Sequence, residues 1–516
     1  MKKEYLVSAL EMKQLDYNTI KKTGLPSLVL MERAALAVAQ SVMDYLNGNN
    51  KKRILVIAGN GNNGADGVCA GRILKEYGYT VDICVLKSRH EYTEEMKVQL
   101  EAASKYTINM ISEEDICLEM YDIVIDSIFG VGLNRNIEGN VKRLIDKINE
   151  SNVYVVSVDI PSGINASTGE VCGIAIEADE TVTFGFYKCG QMFYPGRLYC
   201  GKLKKATIAI NETSFYGMQP NMFTYVPENR EEKIDFSRDK MGNKGTFGKV
   251  FVIAGRDSTA GAALLCASSA LRSGCGMVAV LTEESNKEAF LYSMPEAMLE
   301  TYNSKDAKDS VTEKINKWLT WTDVIVIGCG LGRDETAYHI LSTVINGSNK
   351  SLVCDADALQ LIASHVELKS SLLENNGKRN REVIFTPHPG ELASLLHCSI
   401  QDIKKNRIDM VKIACEEYGI ILAAKDADTL CVKMGETLYL NTSGNDGLST
   451  AGSGDVLAGL IASIIAQSLR IHMSVYDAVC LAVYLHGYAA DYLVKENGKR
   501  FLVASDIIEA YKYILE

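Results

Sequence analysis

Short, fully apolar runs that stop at glycines or acids constrain this chain more than any other feature. Arg53-Ile54-Leu55-Val56-Ile57-Ala58 is continuous, rich in β-branched residues and ends at Gly59. A strand buried on both faces has that pattern, whereas one with a solvated face alternates. Residues 81–86, 123–126 and 153–159 repeat it with helical stretches between, and 182–186 reads as a further strand. Strand–helix alternation predicts a doubly wound α/β sheet, with ligand sites at the carboxyl ends of the strands. A second series begins at 248–255 and continues through 277–281, 323–327, 352–355, 383–386 and 420–424.

Two series imply two domains, and 516 residues exceed what one ordinary core accommodates. The pattern lapses at 216–244, where Gly217-Met218-Gln219-Pro220 and the charged stretch 227–233 are turn-like. The expected division is a first domain at 1–216, a linker at 217–244 and a second domain at 245–516. Both are expected to be α/β: a Rossmann-like three-layer α/β/α domain followed by another α/β domain. Residues 8–46 read as helical.

Composition excludes several classes. The net charge is −11 with no long basic run, which argues against nucleic acid as a partner. The 14 cysteines include no pair within four residues, so neither a zinc knuckle nor a redox CxxC pair is expected. Scattered cysteines behind a charged, polar start suit a reducing cytoplasm. The longest apolar run, 456–466, reads as far short of a membrane span.

The strand at 53–58 runs into Gly59-Asn60-Gly61-Asn62-Asn63-Gly64-Ala65-Asp66-Gly67. This contains GxGxxG, the fingerprint of a dinucleotide site. The ribose-binding acid of that fingerprint belongs near the end of the next strand, yet Asp82 lies near its start. Asn62, Asn63 and Asp66 also make the loop more polar than the fingerprint needs. Their oxygens suit a cation or a hydroxylated ligand. Asp126, before the loop 127–135, and Asp159, opening Asp159-Ile160-Pro161-Ser162-Gly163, place further acids at strand ends. Such a set suits a hard cation or acid–base work.

In the second series, Gly452-Ser453-Gly454-Asp455 precedes an apolar helical run. Glycines let backbone amides approach an anion, and a helix N-terminus adds the positive end of its dipole. Asp455 is placed to act as a base on a hydroxyl facing a phosphate. Gly328-Cys329-Gly330-Leu331-Gly332, Thr386-Pro387-His388-Pro389-Gly390-Glu391 and Lys425-Asp426-Ala427-Asp428-Thr429 each follow a strand. Two prolines flanking His388 imply a fixed backbone there. The 425–429 stretch suits a nucleotide's phosphates or ribose.

These motifs carry a resemblance over nearly the whole chain. Residues 1–216 resemble NAD(P)H-hydrate epimerase domains, marked by GxGNNGxDG, D-x-x-FG-x-G and DIPSG. Residues from about 225 resemble ADP-dependent NAD(P)H-hydrate dehydratase domains, which have a ribokinase-like fold and the markers T-P-H-x-G-E and G-x-G-D. The resemblance implies potassium on Asn63, Asp126 and Ser162. It places hydrate contacts in the first domain on Asn62, Asn63, Gly64, Ala65, Asp66, Gly130, Val131, Gly132, Leu133, Asn134, Arg135, Asn136 and Asp159. Asp126 is the expected proton-handling residue and Lys87 a second candidate. In the second domain it implies hydrate contacts on Ala262, Gly332, His388 and Asp455, with Asp455 catalytic. Nucleotide contacts fall on Lys425, Asp426, Ala427, Asp428, Thr429 and Gly454. The implied partners are NADH-hydrate, NADPH-hydrate, ADP and Mg²⁺, in a cytoplasmic homo-oligomer, a tetramer or larger, with no nucleic-acid or membrane partner. Departures from the family pattern are Arg33 for Asn, Asn60 for Pro, Ala65 for Gly and Cys329 for Pro.

Two rival readings remain at this point. A sugar or vitamin-precursor kinase would require ATP and leave a stable phosphorylated product. A nucleotide-sensing protein would have less need of acids at each ligand site.

Overall fold

The computed structural model describes residues 2–87, 91–226, 240–379 and 381–515. Two compact units emerge: residues 5–222, and residues 223–516 together with the first four. Residues 217–222 of the expected linker thus fall within the first unit, and residues 227–239 lie outside those described.

The first unit holds a sheet of seven parallel strands, β1 (Arg53–Ala58), β2 (Thr80–Val85), β3 (Asn109–Met110), β4 (Ile123–Ser127), β5 (Tyr154–Val158), β6 (Glu180–Phe184) and β7 (Lys202–Ala206). Their spatial order is β3-β2-β1-β4-β5-β6-β7. The order reverses between β1 and β4, the switch point where doubly wound sheets bind ligands. Alternate residues of β1 feed opposite faces. Ile54, Val56 and Ala58 join one apolar cluster, which also takes in α1 (Ala9–Lys21), α2 (Ser27–Leu46) and α3 (Asn62–Glu76). Leu55 and Ile57 join another with Leu144, Ile145 and Ile148 of the helix Gly139–Glu150. This is the three-layer arrangement. The 8–46 stretch is two helices rather than one, broken at Gly24 (φ 80°) and Pro26, which caps α2.

The second unit has parallel strands β8 (Lys249–Ile253), β9 (Met277–Glu283), β10 (Met298–Tyr302), β11 (Val324–Ile327), β12 (Ser351–Cys354), β13 (Val383–Phe385) and β14 (Ile421–Ala424), ordered β10-β9-β8-β11-β12-β13-β14. Antiparallel β15 (Leu430–Val432) and β16 (Leu438–Leu440) extend it. This unit lines up its strand ends: Ile327 pairs with Cys354, and Cys354 with Phe385. The loops carrying the motifs therefore emerge side by side.

The run at 456–466 lies within the 19-residue helix Ser453–Ile471, which is long and apolar enough to cross a membrane, contrary to the expectation of a stretch far too short. Two-thirds of its apolar window is buried inside the protein. It packs on the helix Ala260–Arg272 so closely that a Cβ at Gly459 would meet the Cys266 carbonyl oxygen at 2.1 Å. Ser269 Oγ donates to the Val456 carbonyl at 2.6 Å, bolting the two helices together.

Candidate active sites

A cavity of about 520 Å³ opens beside the switch point of the first unit. Its floor is the glycine loop. A Cβ at Gly59 would sit 2.1 Å from the Ile128 carbonyl oxygen, and one at Gly64 would sit 2.0 Å from that of Gly59. Only glycine permits this packing, which brings the start of α3 against the β4 loop. Asn62, Asn63, Gly64, Asp66, the 130–135 loop and Asp159, on which the resemblance places hydrate contacts, line the cavity. Ala65 does not: it is fully buried in the first turn of α3. Asn136 lies outside the lining and packs near Gly173.

Asp126 requires a correction. Its carboxylate is fully enclosed and accepts from Ser162 Oγ at 2.5 Å, the Ser162 amide at 2.9 Å, Ser157 Oγ at 2.8 Å and the Ile128 amide at 3.3 Å. It does not line the cavity, so it is poorly placed to exchange protons with a ligand there. Burial raises its pKa, and these hydrogen bonds oppose the rise. Lys87 is exposed and pairs with Glu114, also away from the cavity. Asp82 is tied to Arg53, Tyr121 and Asn109, which removes it as a ribose ligand.

Asp126, Ser162 and Asn63 nevertheless form an oxygen-rich neighbourhood. Ser162 Oγ lies 3.2 Å from the Phe129 carbonyl, and the Asn63 side chain abuts Gly130. The Asn63 Nδ2 is buried without a hydrogen-bond partner. Carboxylate, hydroxyl, amide and carbonyl oxygens are the donors a hard cation takes, so this set fits potassium.

Sequence reading missed two groups. Lys188 is completely buried and its ammonium donates to Asp159, to Thr183 Oγ1 at 2.9 Å and to the Phe184 carbonyl at 3.1 Å. Asp159 also accepts from the Phe184 amide at 3.0 Å, and its carbonyl from Gln191 Nε2 at 2.7 Å. These contacts hold Asp159 at φ 66°, a left-handed conformation rare outside glycine and concentrated at functional sites. The second group is Asp16, which lines the cavity from α1. Burial, and then the Asp159 carboxylate, push its pKa up to about 7, with Lys188 opposing. Asp66 is raised too, chiefly by burial and then by Asp159. No motif marks Asp16; it is one polar residue in an amphipathic helix.

In the second unit the strand-end loops converge on Asp355, a residue no motif reading singled out. Lys425 Nζ and Thr386 Oγ1 each lie 2.6 Å from its Oδ1. Asp455 stands in the first turn of the helix Ser453–Ile471, behind Gly452 at φ 89°. Cys329 Sγ, Asp355 and Asp455 present ligand atoms all within 4.8 Å of one another. Burial first, then Asp355, raise the Asp455 pKa to about 6, while Cys329 and Lys425 hold it down. Such a carboxylate is ionised at neutral pH yet basic enough to take a hydroxyl proton. A Cβ on Gly454 would come within 3.2 Å of Lys425 Nζ, so the anion-binding turn and the cation adjoin. His486, also missed, is buried near this turn, its Nε2 has no hydrogen-bond partner, and burial lowers its pKa to about 4.

His388 caps the helix Pro389–Leu395. Its Nδ1 accepts from the Gly390 and Glu391 amides at 3.0 and 3.3 Å, leaving the proton on Nε2. Its ring is more than half exposed. Ala262 packs against Gly330, whose Cβ would lie 3.2 Å away. The Gly332 amide is already used, donating to Asp357 Oδ2 at 2.9 Å. The 425–429 stretch divides. Asp426 and Ala427 are exposed, and Lys425 is half-buried. Asp428 is buried and clamped by Arg407, and Thr429 is buried against Asp426, so the Asp428 carboxylate serves the fold rather than a nucleotide. None of the 14 cysteines is in a disulfide.

Comparison with known proteins bears on both units. Residues 250–512 match the family model described as NAD(P)H-hydrate dehydratase, and residues 27–190 match that of the YjeF-related protein N-terminus. The bifunctional NAD(P)H-hydrate repair enzyme Nnr of Moorella thermoacetica is 32% identical, over 99% of this chain and 96% of that protein. The enzyme of the same name from Escherichia coli K12 is 34% identical over 95% and 90%. A solved Bacillus subtilis structure, an ADP/ATP-dependent NAD(P)H-hydrate dehydratase co-crystallised with ATP and Mg²⁺, is 27% identical, covering 54% of this chain and 92% of that one at a TM-score of 0.46.

Proposed function

Because this chain belongs to the family of bifunctional NAD(P)H-hydrate repair enzymes, we propose that its two sites divide the repair of hydrated nicotinamide cofactors between them. It is an NAD(P)H-hydrate epimerase and an ADP-dependent NAD(P)H-hydrate dehydratase on one chain. The first unit interconverts the R and S hydrates in the cavity lined by the glycine loop. The second converts the S hydrate to NAD(P)H.

Asp455 carries the dehydratase reading, as a partly buried base at an anion-binding helix start. It takes the proton of the substrate hydroxyl, whose oxygen attacks the terminal phosphorus of ADP. The bond to AMP breaks, and AMP leaves. The phosphate ester then departs as inorganic phosphate while the neighbouring ring carbon loses a proton, which restores the double bond. The amides at Gly452–Gly454 and the Lys425 ammonium are placed to stabilise charge on the transferring phosphoryl group. His388, more than half exposed with Nε2 3.4 Å from Glu391 Oε1, is assigned to a polar group of the hydrate. Mg²⁺ arriving with the nucleotide would neutralise its phosphates, and Asp355 offers a hard oxygen donor of the type it takes.

In the first unit Asn63, Asp126 and Ser162 are assigned to potassium. Asp66, Asp159 and the 130–135 loop are assigned to the hydrate. A cytoplasmic homo-oligomer, a tetramer or larger, with neither nucleic acid nor membrane as partner completes the proposal. The test is ³¹P NMR of the full chain with S-NADH-hydrate, Mg²⁺ and ADP. AMP and phosphate should appear one-to-one with NADH. A phosphorylated product that persists without NADH formation would return the kinase reading.

A further inference from the structure

We propose that Asp16 is the catalytic acid–base residue of the epimerisation, donating a proton to the substrate hydroxyl and recovering it from water on the opposite face. The inference rests on the epimerase reading of the first cavity.

The two epimers differ at the ring carbon that bears the hydroxyl and adjoins the ring nitrogen. Inversion there without redox chemistry has a simple balanced route. A carboxylic acid protonates the hydroxyl. The carbon–oxygen bond breaks, with its electron pair leaving on water. The nitrogen lone pair forms a C=N⁺ iminium, whose counter-ion is the new carboxylate. Water adds to the other face, and its proton returns to that carboxylate. Nothing outside substrate, water and one carboxyl group is consumed.

The cavity offers few groups for this role. Asp126 is enclosed behind Ser157 and Ser162. Asp159 is committed to Lys188 and to the Phe184 amide. Glu95, from the helix Glu94–Lys105, accepts from Ser27 Oγ at 2.8 Å. Lys13 and Arg135, the other charged lining groups, are cations. Asp66, the remaining acid, lines the cavity from α3 and is half-buried, as Asp16 is. Asp16 lines the cavity from α1 and is half-buried there. A carboxyl half-protonated near pH 7 is matched to both halves of the cycle.

The experiment uses the full chain with purified R-NADH-hydrate and no nucleotide, so that the dehydratase idles. Epimer ratios are followed by ¹H NMR in H₂¹⁸O. Wild type should convert R to S with one ¹⁸O gained per inversion, and its kcat should fall as pH rises through about 7. Asp16→Asn should lower kcat by roughly 10²- to 10⁴-fold with little change in KM, while S-hydrate dehydration with ADP stays at the wild-type rate. Asp16→Glu should recover part of kcat and shift the alkaline limb. An Asp16→Asn variant within tenfold of wild type overturns the proposal, as does an unshifted limb in Asp16→Glu. If Asp66→Asn alone abolishes turnover, the role passes to Asp66. Inversion without ¹⁸O overturns the carbon–oxygen route. A wild type that leaves the R epimer untouched refutes the epimerase reading itself, and the role of Asp16 with it.

Discussion

Replacing Lys188 by methionine should destabilise the first unit by about 3 kcal/mol at pH 8. The ammonium is completely buried, and all three of its N–H groups are used, on Asp159, Thr183 and the Phe184 carbonyl. Methionine keeps the length and much of the apolar stem, so the loss is one of charge. Removing one partner of a buried ion pair costs about 3–5 kcal/mol, because the other charge stays behind without its counter-ion. Asp159 retains the Phe184 amide at 3.0 Å and Thr183 Oγ1 at 3.3 Å, which favours the lower end of that range. Asp159→Asn added to Lys188→Met should recover at least half of the loss at pH 8. Urea titrations of the full chain, followed by circular dichroism at pH 8, compare wild type with both variants. A deficit below 1 kcal/mol, or a double variant no better than the single one, would refute this account of Asp159 and Lys188.

Four further outcomes are expected. Asp455→Asn should lower the dehydration rate by roughly 10²- to 10⁴-fold and leave epimerisation intact. The wild-type dehydration rate should decline as pH drops through about 6, where the base becomes protonated, a limb visible in initial rates at saturating ADP. Gly64→Ala places a methyl 2.0 Å from a backbone oxygen. It should abolish epimerisation, and by overpacking cost roughly 1–3 kcal/mol in thermal unfolding, with S-hydrate dehydration preserved. Asp126→Asn should raise the potassium concentration needed for half-maximal epimerisation at least tenfold, read by titrating KCl against a tetramethylammonium background.

Legibility in the sequence followed how local each signal was. β1, β2, β4 and β5 were readable because a strand buried on both faces is a continuous apolar run, and the glycine loop because its turn needs glycines at fixed positions. The short antiparallel strands β15 and β16 and the edge strand β7 were not, since Lys202–Ala206 carries three lysines and owes its conformation to pairing with β6. The same division holds in the sites. Asn63, Asp66 and Asp159 sit in motifs whose spacing announces them. Asp16 and Lys188 reach the same cavity region from sequence positions 172 residues apart, a juxtaposition only the tertiary fold creates. Asp126 illustrates the converse. A motif acid at a strand end looked catalytic, but four hydrogen bonds around it show a carboxylate used to organise the loop.

The measurement that bears most directly on two activities sharing one chain is absorbance at 340 nm with a mixed-epimer NADH-hydrate, potassium, Mg²⁺ and ADP. Recovery of reduced nicotinamide beyond the S fraction of the starting mixture is the predicted result. Recovery that halts at that fraction, with the R epimer left in solution, would contradict it.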